Sequence, residues 1–290
     1  MFLLVGGDSE IGKIAAAQLG ARAVATTRRP RGASDKRIVL DLAEDPHHRF
    51  EPPAGVTSAC ILAAVARLGD CARDPAGSAR VNVDGTLALA DRLIARGVHV
   101  LFISSDKVFD GSIPQVPADA PTAPASEYGR QKARAEAELR EHMTRGAPVA
   151  ILRLAKVVSP ATPLLRDWTA ALTAKKPIRA FHDLTMAPVA AATVVRAIAA
   201  LMEARARGVF QLSGPRDVTY LDAGFFLAER LGADRSLVLR ASLAETNPPA
   251  GAGPPHTTLD SRALAARYGI AVPDAFEVLA SVLGNSSRPT

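Results

Sequence analysis

The sequence predicts an α/β fold, a doubly wound parallel sheet with a smaller C-terminal lobe. Three observations predict it. Short apolar and β-branched runs alternate with longer helical patterns over residues 1–155, a glycine-rich turn follows the first run, and about fifty residues separate the last two strand-like runs. The chain has 290 residues, enough for about two units at roughly 150 residues each.

Phe2 to Val5 is an apolar run ending in glycine, and Ile11 to Leu19 is Ala-rich and too long for a strand, so it reads as a buried helix. Ala23 to Thr27, Arg37 to Leu42 and Thr57 to Ala64 read as the next three strands. Val81, Leu87, Leu89, Leu93 and Ile94 recur at helical spacing up to Gly97, and Val98 to Ser104 is a fifth strand. Ser126 to Arg145 is a polar helix with Ser126 suited to its N-cap, and Val149 to Leu154 is a sixth strand. Gly208 to Leu212 is a seventh, returning to the first unit near 208–214. The chain between the last two strands holds Trp168 and the segment Phe181 to Val189, more than one crossover needs, so 156–290 reads mainly as a second lobe. Helical patterns at Tyr220 to Leu231 and Ser261 to Tyr268 flank a Pro- and Gly-rich surface loop, Asn247 to Pro255.

Composition narrows the function. With 48% apolar and 22% charged residues the chain is of globular type, and no run reaches the ~18 apolar residues of a membrane span. Two cysteines, Cys60 and Cys71, read as reduced, and the first apolar stretch is too short for a signal segment, so a cytoplasmic protein is expected. The net charge of +6 suits an anionic small molecule. Arg28-Arg29 with Arg31 is too short a basic cluster, and too poor in aromatics, for nucleic acid. His182 and His256 lack ligand spacing, and no metal is expected.

The turn Gly6-Gly7-Asp8-Ser9-Glu10-Ile11-Gly12 has the physics of a phosphate cradle. Glycines let the backbone approach a pyrophosphate, and the helix that follows offers the N–H groups of Ser9, Glu10 and Ile11 at its positive end. Thr27-Arg28-Arg29 closes the second strand with no carboxylate where one would meet a ribose. Arginines there pair with a 2′-phosphate, which favours NADP over NAD. Asp41 and Leu42 close the third run, placed either for the adenine end or, for Asp41, to cap the next turn.

Tyr128 and Lys132 lie four residues apart on one helix face. A lysine ammonium one turn away is expected to lower the tyrosine pKa from its usual ~10, so that the phenol exchanges a proton with a carbonyl or alcohol. Ser105 ends the fifth strand, at the sheet edge where such folds bind ligands, and supplies a hydroxyl to hold a substrate oxygen.

Ile103-Ser104-Ser105-Asp106-Lys107-Val108-Phe109-Asp110-Gly111 and Ser126-Glu127-Tyr128-Gly129-Arg130-Gln131-Lys132 resemble the extended short-chain dehydrogenase/reductases, most closely the dTDP-4-dehydrorhamnose reductase group. Ala63-Ala64, Val81-Asn82, Gly85-Thr86 and Leu152-Arg153 also match. The resemblance implies a Rossmann sheet binding NAD(P), with Ala63 and Ala64 beside the cofactor, and a lobe closing over a nucleotide-sugar. It also implies a catalytic set of Ser105, Tyr128 and Lys132. Substrate contacts fall on Ser105, Lys107, Phe109 and Lys156, and the helices carrying Val81 to Ile94 and Tyr128 to Leu139 would form a homodimer face. Lys107 and Lys156 stand where the rhamnose enzymes usually carry Tyr and Trp, and Leu62 stands where Asn is usual. Candidates for a diphosphate grip are Arg153, Lys156, Lys175, Lys176 and Arg179, with Trp168 placed either on the ligand or in the lobe core. The implied reaction is NADPH-dependent reduction of a keto (deoxy)sugar. An epimerase or dehydratase with the same residues, and a non-catalytic NADP-binding regulatory subunit, are the alternatives.

Overall fold

The computed structural model describes residues 1–34, 36–44 and 50–283. Seven strands, β1 (Phe2–Val5), β2 (Ala23–Thr27), β3 (Arg37–Val39), β4 (Ser58–Ile61), β5 (His99–Ser105), β6 (Val149–Leu154) and β7 (Gly208–Leu212), form one sheet in the order β7-β6-β5-β4-β1-β2-β3. Every pairing in it is parallel. The third and fourth strands are shorter than the sequence runs suggested. Their last residues leave the ladder as loops: Leu62 and Ala63 both donate backbone N–H bonds to the single carbonyl of Val5, at 2.8 and 3.0 Å.

The helices are α1 (Glu10–Leu19), α2 (Leu68–Arg73), α3 (Pro75–Ala79), α4 (Thr86–Ala95), α5 (Glu127–Thr144), α6 (Pro163–Thr173), α7 (Ala191–Glu203), α8 (Tyr220–Arg230), α9 (Arg262–Tyr268) and α10 (Ala275–Leu283). Alternate strand residues serve the two faces. Leu4, Cys60, Leu101 and Leu152 pack with α1 and α7, while Leu3, Ile61, Phe102 and Ile151 pack with α4 and α5. Burial on both faces is why these strands read as continuous apolar runs rather than alternating ones. Cys60 and Cys71 are both free and buried.

Helix α7 is the crossover between β6 and β7. Val194, Val195, Ala197, Ile198, Leu201 and Met202 form its wide buried face, while the exposed line at Ala192, Arg196 and Glu203 carries only two charged residues in an Ala-rich run. The chain between β6 and α7 and after β7 builds a separate core: α6, α8 and α10 pack Leu165, Trp168, Leu172, Leu227 and Leu279 against a parallel pair, Ile178–Phe181 with Val238–Ala241. Trp168 belongs to that core and meets the Tyr220 ring edge-on at 6.4 Å between centroids.

The sheet order places β1 beside β4, where the chain's direction of winding reverses. A crevice at the carboxyl ends of the strands opens at such a switch point. The loops after β1, β4 and β5 all end there. The Pro- and Gly-rich segment 247–255 lies over the start of α5, with Gly251 against Ser126 and Pro254 against Gly111. Among the described residues no helix is long and apolar enough to cross a membrane.

Candidate active site

The glycine turn is packed too tightly for side chains. A Cβ on Gly6 would stand 2.7 Å from the Ala63 nitrogen, one on Gly7 2.6 Å from the Ala25 methyl, and one on Gly12 2.4 Å from the Gly6 carbonyl oxygen. Gly6 also has φ +98, in the region that favours glycine. Ser9 takes the place of a glycine by turning its hydroxyl inward. It caps α1, accepting from the Gly12 N–H at 3.0 Å and donating to the Gly6 carbonyl at 2.8 Å. The N–H groups of Glu10 and Ile11 are left at the open end of α1, with Ala63 and Ala64 across the crevice. A bare backbone cradle on a helix N-terminus fits a dinucleotide pyrophosphate.

At the end of β2 the structure corrects the sequence reading, which finds no carboxylate there. Asp8, reaching across from the glycine turn, accepts from the Thr27 hydroxyl at 2.8 Å and from the Arg37 guanidinium at 2.8 Å. The Thr27 bond and the Arg37, Arg28 and Arg29 contacts hold the Asp8 carboxyl below the usual carboxylate range, against the opposing effect of burial. Adjacency of β1 and β2 was the signal that could have located it. The Arg28 and Arg29 side chains are exposed and make no ion pair among the described residues. Asp41 caps its own turn, accepting from the Ala43 N–H at 2.9 Å. Leu42 is buried in the core, and Gly85 packs so closely on its carbonyl that a Cβ would lie 2.1 Å from the oxygen.

Ser105, Tyr128 and Lys132 come together. The Ser105 hydroxyl donates to Asp106 at 2.8 Å and accepts from the Lys107 N–H at 3.2 Å, and it lies close enough to the Tyr128 phenol to favour its ionised form. Helix α5 reaches this strand end because Ser126 caps it and Gly129 touches the Lys107 carbonyl. The Lys132 ammonium donates to the Ile103 carbonyl at 2.8 Å and lies 4.3 Å from the centre of the Phe102 ring. Burial brings its pKa down to about 8, with the Glu136 charge opposing.

The expected lowering of the tyrosine pKa is not what this structure shows. Burial first, then the negative charge of Asp106, push the Tyr128 phenol up, with only Ser105 opposing. Tyr128 is therefore held in its protonated form. Ser104, beside this group, has a buried hydroxyl with no hydrogen-bond partner among the described residues.

Several other residues complete the site. Asp106 touches Ser105, lies 3.7 Å from the Lys107 ammonium and raises the pKa of both Tyr128 and Tyr220. Tyr220, from the start of α8, brings a phenol whose pKa burial pushes up to about 12. Lys156 is exposed at its tip but closely surrounded. Desolvation and the Lys107 charge lower its pKa, while Asp106 and Glu10 act in the opposite sense. Glu10 also bonds the Ser159 hydroxyl. Asn82, in a π-helical turn over Arg80–Gly85, accepts from the Val65 N–H at 2.8 Å and donates to Gln131 at 2.8 Å, tying the loop after β4 to α5. Asp106 and Asn82 sit inside the matched motifs. Tyr220 carries no local sequence signal, because only the lobe's folding brings it to Asp106.

Two proposed ligand contacts are withdrawn. Arg153 is fully buried, paired with Glu136 at 2.6 Å and bonded to Gln211 at 3.1 Å, so it holds the sheet edge together rather than a diphosphate. Phe109 is turned into a small core with Val108, Val116 and Leu259, under the Arg153 guanidinium at 4.7 Å. Lys175, Lys176 and Arg179 are exposed on the lobe. His256 pairs with Asp217 at 3.1 Å, and no group of three or more His, Cys, Asp or Glu among the described residues is placed to hold a metal.

Comparison with known proteins agrees with this geometry. The chain is 28% identical over 228 residues to the probable low-salt glycan biosynthesis reductase Agl14 of Haloferax volcanii, covering 76% of this chain and 74% of that one. Among solved structures, MoeE5 in complex with UDP-glucose and NAD superposes with a TM-score of 0.79 at 22% identity, covering 97% of both chains. The dTDP-4-dehydrorhamnose reductase of Bacillus anthracis in complex with NADP superposes with a TM-score of 0.77 at 16% identity, covering 97% of this chain and 96% of that one. The model of the RmlD substrate binding domain matches residues 1–287. With the glycine cradle, the Ser105, Tyr128 and Lys132 cluster and this match over nearly its whole length, the chain belongs to the RmlD substrate binding domain family.

Proposed function

We propose that this chain reduces a keto group on a nucleotide-linked sugar or deoxysugar with NADPH, Tyr128 donating the proton. The observation that carries the reading is the meeting of Tyr128 and Ser105 at the carboxyl end of β5, with Lys132 one turn behind, on the crevice that the glycine turn also faces. The MoeE5 complex with UDP-glucose supports a nucleotide-sugar, and the Bacillus anthracis reductase with NADP supports the cofactor. Arg28, Arg29 and Arg37 outnumber Asp8 at the adenosine end, which keeps that corner net positive for a 2′-phosphate.

Gly6, Gly7, Ser9, Glu10, Ile11 and Gly12 would hold the pyrophosphate, Ala63 and Ala64 the opposite wall, and Lys132 the ribose nearest the reaction. The bound dinucleotide supplies a hydride. Ser105 turns its hydroxyl proton from Asp106 to the substrate carbonyl oxygen and orients it. Tyr128, kept protonated by burial and by Asp106, passes its proton to the same oxygen as negative charge develops there. Lys132, with a pKa of about 8, is charged at neutral pH and favours the phenolate left behind. Lys107, Lys156 and Tyr220 form the wall toward the lobe and would face the sugar. The test is net oxidation of NADPH by the purified protein against a panel of nucleotide-linked keto sugars. Stoichiometric oxidation with an alcohol product supports the reading. Isomerisation or dehydration with no net NADPH consumption overturns it.

A further inference from the structure

We propose that Asp8 is the residue that sets cofactor choice in this chain, acting as a built-in anion that competes with the 2′-phosphate for Arg37. The inference rests on the reading that the crevice binds a nicotinamide dinucleotide, and it adds a determinant to it.

The corner at the end of β2 is organised around the Asp8 carboxylate. One oxygen accepts from the Thr27 hydroxyl at 2.8 Å and the other from the Arg37 guanidinium at 2.8 Å. The Arg28 N–H and the Arg29 charge also face it, and Arg37 leans on the Gly7 carbonyl at 3.5 Å. Thr27 has no proton to spare for a ligand, because its one donor goes to Asp8, and its oxygen also accepts from the Arg29 N–H at 3.1 Å. A carboxylate held this way is a ready acceptor for the 2′-hydroxyl of an adenosine ribose, and a ribose makes no demand on Arg37. A 2′-phosphate instead brings charge of about −1.5 to −2 beside Asp8 and seeks the same guanidinium. Arg28 and Arg29 attract the phosphate while Asp8 opposes it. The wild-type chain therefore accepts both dinucleotides, with affinities within about tenfold of each other, the factor set by a partial cancellation of charges rather than by a single arginine.

Asp8→Asn tests this with little risk to folding, since an amide oxygen still accepts from Thr27 and Asp8 is about one-third exposed, at 35% of its side chain. Dissociation constants for NADPH and NADH are measured by titration of reduced-nicotinamide fluorescence, together with the fragments 2′,5′-ADP and 5′-AMP, which probe only the adenosine end. Asp8→Asn is expected to tighten NADPH relative to NADH by about tenfold and 2′,5′-ADP relative to 5′-AMP by a similar factor. Arg37→Met is expected to weaken NADPH by about tenfold and leave NADH within twofold. If both dinucleotides bind but Asp8→Asn leaves their ratio within twofold of wild type, the role given to Asp8 is wrong while the reductase reading stands. If neither dinucleotide binds the wild-type chain, both fail together.

Discussion

Gly129 lies so close to Lys107 that a Cβ on it would fall 2.0 Å from the Lys107 carbonyl oxygen. This contact sets helix α5 on the turn that follows β5, and so sets Tyr128 against Ser105. Alanine is the better helix former by roughly 1 kcal/mol, so propensity alone would favour Gly129→Ala. The contact reverses the sign, because backbone cannot move aside as the end of a flexible side chain can. Gly129→Ala is expected to displace the start of α5 and lower kcat about 100-fold, the scale of a 1 Å misplacement. NADPH affinity should change much less, and the fold should survive by circular dichroism. Unchanged kcat would remove this contact from the account.

The pH dependence of reduction follows from the two shifted groups. Tyr128 is pushed up by burial and remains protonated through the working range, so it sets no limb there. Lys132, lowered to about 8 by burial, loses its charge as pH rises through that value. The rate is expected to be level below pH 8 and to fall above it, and Lys132→Met should be slow at every pH with the limb gone. Steady-state pH profiles of both proteins check this.

His99 makes an independent prediction about stability. It is buried between Ser58, at 2.6 Å, and the Ala206 carbonyl, at 2.8 Å, and burial lowers its pKa from 6.5 to about 4. Between those values the unfolded chain binds the proton and the folded chain does not. Stability is therefore lost as pH falls from about 6.5 to 4, by up to about 3 kcal/mol. In His99→Gln the urea-unfolding free energy should be lower at neutral pH but flatter across this window.

Arg153 and Glu136 separate a structural role from a ligand role. Glu136→Gln leaves a buried guanidinium without its counter-charge and is expected to cost about 3–5 kcal/mol. Replacing both, Arg153→Met with Glu136→Leu, should recover most of that loss and leave the substrate KM within twofold. A tenfold rise in KM with kcat unchanged would return Arg153 to the ligand.

What the sequence revealed depended on whether the information was local. Most of the strands were legible because two-sided burial makes them mainly apolar runs, and Tyr128 and Lys132 because one helix turn relates them. Helix α7 is harder to read because its exposed face carries only Arg196 and Glu203 among alanines. Asp8 stands unmarked inside the glycine turn because its partners, Thr27 and Arg37, arrive from neighbouring strands. Arg153 looked like a free cation because Glu136 is 17 residues away on another element. Tyr220 needed the lobe in place before it had anything to meet. The direction of the Tyr128 shift was misjudged for a related reason: helical spacing shows the lysine, while burial and Asp106 come from tertiary structure.

The central claim is that Tyr128 gives the proton. Its most direct test is single-turnover oxidation of NADPH by wild type and Tyr128→Phe on a nucleotide-linked keto sugar that the wild type reduces, with NADPH affinity measured on both. The account predicts that the variant binds NADPH within about threefold of wild type while its hydride-transfer rate falls by roughly 10²–10⁴-fold, the range for loss of a positioned general acid. A Tyr128→Phe rate within a factor of a few of wild type would contradict it.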